Sequence, residues 1–490
     1  MTNCAPFACG IDVCKTTCAS TTDCATGAFC DAANASCCGG LADAGALAVD
    51  AVLGDDAVAC CGFFGAKPCR TLSHALSLVA AGPTTDVVIR ATVNRAASGD
   101  WNPEQEVYPI ELGWGAELSA PGIFFAGSGN SGLAIFELSA DAGAQSGSIV
   151  GTGVNPVRIG MDQEGDQLME SAAISDGPGS TLYLANVDVN GSTVGTAIDA
   201  NGSTLILGQD RSGAVIGPIQ IGNDLANPQP IGGTGIECDT CVLSDVPMNG
   251  SSSVVIFGQS QADIESQFGS VISLTSAPVL GIAPSSLGFN TCPSKPDQSG
   301  LRLRGTMTLS LDGATIQCMS LYGIAALDDG AGGMPSLTVT KTTIQNTDLA
   351  LVDEAGSVAV SDSVIRYNSI GVSQGGSIFR NGSVDLSGGQ DGGRNTVACS
   401  SSIESGSSYP GVSIWNGGIN ALNASNVDWD TPGPDLFSCD ENLANCTCQI
   451  HACTVVPGAD GMDAVVSSSG TILTTGNGLS PLSCAASPSN

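Results

Sequence analysis

The sequence predicts an all-β fold: a right-handed parallel β-helix with a short N-terminal capping helix and disulfide-rich terminal caps. Three observations predict it. Over residues 301–385 the chain repeats itself at a period of roughly 20–30 residues, the mark of units that cannot bury an apolar face alone and must stack on neighbours. Its apolar runs are strand-sized and are separated by Gly, Asn, Asp and Ser, which favours a β-solenoid over a helical repeat. Its 21 cysteines gather at the ends, eleven from Cys4 to Cys69 and six from Cys399 to Cys484, as disulfide-tied caps would.

The repeat is clearest in three segments. Thr315-Ile316-Gln317-Cys318 leads into Gly323 to Gly330, Thr343-Ile344-Gln345-Asn346 into Leu349 to Gly356, and Val364-Ile365-Arg366-Tyr367-Asn368 into Ile370 to Gly376. Each unit reads as a β-branched strand, a polar turn, a second alternating strand and a Gly-containing turn.

Residues 1–40 form a Cys-rich disulfide module. Cys18, Cys24, Cys30 and Cys37 are separated by five, five and six residues. Eight cysteines in 40 residues leave no room for an apolar core, so the module needs covalent staples; their pairing stays open. Residues 41–90 read as an opening strand and capping helix. Leu47 to Val52 is the strand and Gly54-Asp55-Asp56 a turn. Thr71 caps a helix whose Leu72, Ala75, Leu76 and Val79 fall on one face, and Gly82-Pro83 ends it. An open solenoid end needs such a cover. Residues 91–398 are the expected parallel β-helix, with segments 140–180 and 275–300 expected to loop out. Residues 399–490 are the expected Cys-containing C-terminal cap, where Cys439, Cys446, Cys448 and Cys453 fall near Pro432 and Pro434. Cys238 and Cys241 form a Cys-x-x-Cys pair, read as a disulfide.

The cysteine spacing of 1–40 resembles short Cys-rich modules on bacterial surface proteins. The order strand, Gly-Asp-Asp turn, Pro-x-Arg-Thr-Leu helix and strand over 47–95 resembles the opening of secreted bacterial right-handed β-helix proteins of the pectin-lyase-like superfamily. The resemblance implies fold and export. It does not imply catalysis, because that superfamily includes lyases, hydrolases, adhesins and phage tail proteins.

Composition narrows partners. Formal net charge is −33 with only 14 Lys and Arg, a surface that repels nucleic acid and anionic lipid. No run of 18 apolar residues exists, so no membrane span is expected. The start Met1-Thr2-Asn3-Cys4 lacks a basic region followed by an apolar run. The chain is therefore expected to be a mature form or to begin downstream of its natural start, and its place is expected to be secreted or on the cell surface.

Candidate sites are few. Asp328-Asp329 is expected to lie over Asp353-Glu354 on the next coil, and stacked carboxylates about 5 Å apart suit Ca²⁺. No cofactor is otherwise required. If the protein is an enzyme, Asp328, Asp353 and Arg366 are the expected catalytic set, by analogy with lyases that pair Ca²⁺ carboxylates with a basic residue. The Gly-His-Gly of polygalacturonase-type members does not occur. The chain has two histidines, His74 and His451, both expected to be structural. Asp385, Asp391 and Arg394 lie in a Gly-rich stretch that reads as a wide turn. Trp415 and Trp429, in polar, turn-rich sequence, are the expected carbohydrate contacts. The leading expectation is an extracellular structural or binding protein contacting glycans or other surface proteins. The alternatives are a polysaccharide lyase or glycoside hydrolase, and a self-assembling fibre subunit.

Overall fold

A computed structural model of the chain describes residues 16–25, 28–31, 35–38, 46–63, 66–80, 87–93, 101, 105–113, 115–125, 134–138, 145–160, 172–190, 195–222, 233–248, 252–257, 261–281, 298–375, 382–388, 393–400, 412–429, 436–439, 446–450, 462–466, 471–475 and 478–479. It is an all-β parallel solenoid with one α-helix among those residues, Leu72–Ala80. The chain divides into two compact units, Met1–Ile221 and Gly222–Asn490. Among the described residues, from Ala116–Ser119 onward successive strands fall in turn on three sheets and strands of successive coils pair in parallel, whereas the first coils, which carry the helix, place strands on fewer sheets. The crossover rule for parallel strands favours a right-handed turn.

In the first unit the strand Ala46–Asp50 pairs in parallel with Val87–Thr92, so coiling starts ahead of residue 91. The helix between them carries buried Leu72, Ala75, Leu76 and Val79, the face expected from their spacing. Two carboxylates distant in sequence cap it. Asp56 accepts from the Thr71 hydroxyl at 2.7 Å, and Glu106 accepts from the N–H groups of Leu72 and Ser73, each at 2.9 Å. These bonds satisfy donors that a helix start leaves open. Trp101, Phe125 and Phe136 fill the interior, with ring centroids 5.6 Å apart for the first pair and 5.0 Å for the second. The segment 140–180 does not loop out entirely. Ser146–Val150, Val157–Gly160 and Ala172–Asp176 each join a sheet, because their buried Ile149, Ile159 and Ile174 continue the inward files.

The second unit holds the regular repeat. One coil runs through Ser336–Thr340 on the first sheet, Thr343–Gln345 on the second and Leu349–Asp353 on the third. Thr315, Ile316 and Gln317 pair with Thr343, Ile344 and Gln345, as the repeat predicts. Single residues with positive φ make the two tight corners flanking the second sheet. Gly313, Lys341 and Asp362 (φ 70°, 47° and 51°) turn one; Cys318, Asn346 and Tyr367 (62°, 55° and 55°) turn the other. A non-glycine residue there costs about 1 kcal/mol, offset by the stacked Ile316, Ile344 and Ile365, each buried side chain contributing about 1.5–3 kcal/mol.

Coils continue past residue 399. Val412–Asn416, Ala421–Asn423 and Val427–Trp429 form one turn, and Met462–Val466, Thr471–Leu473 and Gly478–Leu479 the next. Between them Leu436–Cys439 and Cys446–Ile450 form an antiparallel pair with Cys439 opposite Cys446 and Phe437 opposite Cys448. Cys453, His451 and Asp391 lie outside the described residues.

The expected disulfide cysteines of the N-terminal module pair alternately, Cys18–Cys30 and Cys24–Cys37. Cys38–Cys60 and Cys61–Cys69 follow, joining the module to the opening turn and the opening turn to the helix. Cys238–Cys241 is also a disulfide, and Cys318 and Cys399 are disulfide-bonded.

Candidate functional site

In the second unit, outward positions of the third sheet form one file. Glu237 lies beside Glu265, Glu265 beside Arg302, Arg302 beside Ala325, Ala325 beside Val352, Val352 beside Ser373, and Ser373 beside Trp415. Strand alternation sends these side chains out, because their neighbours Ile264, Leu301, Ile324, Leu351, Val372 and Ile414 all point into the core. At about 4.8 Å per coil, six steps span about 29 Å.

Three chemical zones succeed one another along it. The first is charged: Arg302 Nη2 lies 3.5 Å from Glu265 Oε1, with both side chains mostly covered. The second is apolar: Ala325, Leu327 and Val352 form a cluster of their own, against which Tyr322 and Leu349 pack. Burial raises the Tyr322 phenol above its usual range and the Glu354 carboxylate adds to that, while Arg302 and Arg304 oppose it. The third is aromatic. Trp415 is half-buried, and its ring lies against Gly417, where a Cβ would come within 3.0 Å of Cζ2. Ala325, Leu327, Val352 and Ser373 are themselves buried, so what this face presents to a ligand is part-exposed Glu265 and Arg302 at one end, the edges of Tyr322 and Leu349 between, and Trp415 at the other.

The expected carboxylate stack does not form as drawn from sequence. Ala326, rather than Asp328, lies beside Asp353, a register two residues away from the expected one. The reason is loop length. Residues 328–335 connect the third sheet to the first in one coil, and residues 354–356 do so in the next. Asp328 and Asp329 belong to the longer turn, where Asp328 accepts from Gly330 N–H at 2.9 Å and Asp329 from Ala331 and Gly332 at 2.8 and 3.0 Å. Asp353 points inward and is fully buried, accepting from Gly356 N–H at 2.6 Å and Ser383 N–H at 2.7 Å. Burial pushes its carboxyl up to about 6, against the lowering effect of these bonds. Glu354 turns outward, 3.5 Å from the Asp328 N–H.

Arg366 ends a strand of the second sheet, whereas Asp353 ends one of the third, so they occupy different corners of the coil. Arg366 Nε donates to Gln345 Oε1 at 3.0 Å, and its guanidinium lies over Tyr367 at 5.4 Å. Asp328, Asp353 and Arg366 are thus each engaged separately. Trp429 is a second correction. It is fully buried in the last coils, because Val427-Asp428-Trp429 alternates in-out-in, and only Asp428 faces Arg394, whose Nε donates to it at 2.9 Å. Asp385 instead accepts from Ser387 N–H and Asn423.

Sequence reasoning missed the outer file except for Trp415. Its signal was present: each member follows an apolar inward residue in the repeat, but irregular turns hid the alignment. No family model, no curated protein and no solved structure matches the chain.

Proposed function

We propose that this is a non-catalytic binding protein of the cell exterior whose outer file on the third sheet holds an uncharged glycan strand. One observation carries the reading: the Glu265–Arg302 ion pair, the part-exposed Tyr322 and Leu349 beside a buried apolar cluster, and a half-buried Trp415 succeed one another along the third sheet over five coil steps, about 24 Å, the length of several sugar rings. Stacking on Trp415 supplies the ring contact, and Glu265, Arg302 and Tyr322 supply hydroxyl partners. The charge of −33 disfavours an anionic polysaccharide. At least five disulfides support an oxidising exterior. Among the described residues no helix is long and apolar enough to cross a membrane. The pectin-lyase-like resemblance enters as a source of the fold, and the separate engagements of Asp353 and Arg366 favour binding over lyase chemistry.

Affinity electrophoresis through gels carrying neutral glucans, mannans or xylans tests the reading. Retardation by one polymer, reduced at least 5-fold in Trp415→Ala, is expected. Equal migration of the two proteins in every gel would overturn it.

A further inference from the structure

We propose that Asp56, Cys61, Cys69 and His74 form a zinc site that opens when the Cys61–Cys69 disulfide is reduced by a dithiol. The four residues each offer one ligand atom, and these atoms all lie within 4.8 Å of one another. The set comprises two sulfurs, an imidazole nitrogen and a carboxylate oxygen, donors that Zn²⁺ takes in tetrahedral sites. The sulfurs select against Ca²⁺ and Mg²⁺, which take oxygen ligands. Cys61 and Cys69 are fully buried, and Asp56 and His74 half-buried. His74 Nε2 is itself buried and has no hydrogen-bond partner. A buried ring nitrogen is ordinarily satisfied, so this orphan asks for a ligand that hydrogen bonding does not supply.

Backbone bonds independent of the disulfide hold the donors. Cys69 N–H donates to Ala48 O at 3.0 Å, and its carbonyl accepts from Asp50 N–H at 2.8 Å. Next to Cys61, the Gly62 carbonyl accepts from Ala48 N–H at 3.0 Å and Gly62 N–H donates to Lys67 O at 2.7 Å. His74 sits in the first helical turn, its N–H donating to Thr71 Oγ1 at 3.2 Å. Asp56 accepts from Arg70 N–H at 2.6 Å and from the Thr71 hydroxyl at 2.7 Å. These bonds leave carboxylate lone pairs over and orient the group, as outer partners do around a metal. Reduction therefore cuts the sulfur–sulfur bond without dispersing the ligands.

The chemistry balances. The dithiol gives two electrons and two protons to the disulfide and closes to its own cyclic disulfide, leaving two cysteine thiols. Zn²⁺ replaces both thiol protons, which pass to solvent, and binds with neutral imidazole and ionised Asp56. The opening turn and the start of the helix are joined in both states, by a covalent bond in one and by a metal in the other.

Cobalt titration of the full chain, reduced and then freed of reductant without oxygen, tests this. The reduced protein is expected to show thiolate-to-cobalt charge-transfer bands that zinc abolishes. His74→Ala and Cys61→Ser are each expected to bind one equivalent less than the unaltered chain, and Cys38→Ser to match it. Identical stoichiometry and bands in His74→Ala would overturn the proposal. Alkylation followed by peptide mass spectrometry reads the unaltered protein directly, whatever the variants' folding. Zinc is expected to slow modification of Cys61 and Cys69 at least 10-fold, and an unchanged rate would sink the idea.

Discussion

Asp353→Asn probes the buried carboxylate that terminates a strand of the third sheet. Burial raises the folded-state pKa of Asp353 from 3.8 to about 6. At 1.36 kcal/mol per pH unit, that displacement corresponds to about 3 kcal/mol. The sign follows from which state loses its proton first. The unfolded chain ionises near its ordinary value while the folded chain holds its proton, so stability is fullest below about pH 4. It falls as pH rises and levels off above about pH 6. Asparagine cannot ionise, which removes this slope. It also has one acceptor oxygen where Asp353 uses two, Oδ1 for Gly356 N–H and Oδ2 for Ser383 N–H. One buried N–H is then left facing an amide NH₂, at a cost of about 1–3 kcal/mol. The two effects oppose each other at neutral pH. Asp353→Asn is expected to be within about 2 kcal/mol of the unaltered chain at pH 7.5 and destabilised by about 1–3 kcal/mol at pH 4. Urea unfolding midpoints, followed by circular dichroism at half-unit steps from pH 4 to 8, read the difference. A stability difference between the two proteins that does not change with pH would refute the reasoning.

Other substitutions test the corners, the interior and the module. Asn395→Ala removes a buried amide that accepts from Ser363 N–H at 2.9 Å and donates to Val360 O and Leu386 O, each at 2.7 Å; a loss of about 2–4 kcal/mol in urea unfolding is expected. Gly281→Ala places a Cβ 2.0 Å from Gln317 O at a φ of +87°, and is expected to lower the unfolding midpoint by at least the equivalent of about 2 kcal/mol. Lys341→Gly relieves a positive φ of 47° on an exposed corner; it is expected to change stability by between zero and about +1 kcal/mol, and a loss of that size would contradict the corner argument. Paired Cys24→Ser and Cys37→Ser changes open a link spanning 13 residues and are expected to cost the N-terminal module about 3 kcal/mol, read as faster proteolysis there.

Much of the architecture is legible without coordinates. Thr315-Ile316-Gln317 over Thr343-Ile344-Gln345 is correct in register because alternation and β-branching repeat there without interruption. The capping helix is legible because Thr71 and the spacing of Leu72, Ala75, Leu76 and Val79 are local signals. The carboxylate alignment is out of register by two residues, because register after a turn depends on how many residues the turn absorbs. Trp429 misleads because its polar neighbours outweigh a short alternation, Val427-Asp428-Trp429, that points it inward.

By itself, the sequence determined that strands stack and where covalent staples concentrate, since periodicity and cysteine spacing are properties of the chain. Only the tertiary structure decided which side chains meet. Glu265, Arg302, Val352 and Trp415 are drawn from separate coils, as Asp56, Cys61, Cys69 and His74 are drawn from a turn and a helix. Such neighbours are set by coil-to-coil register and loop length, which no local pattern encodes.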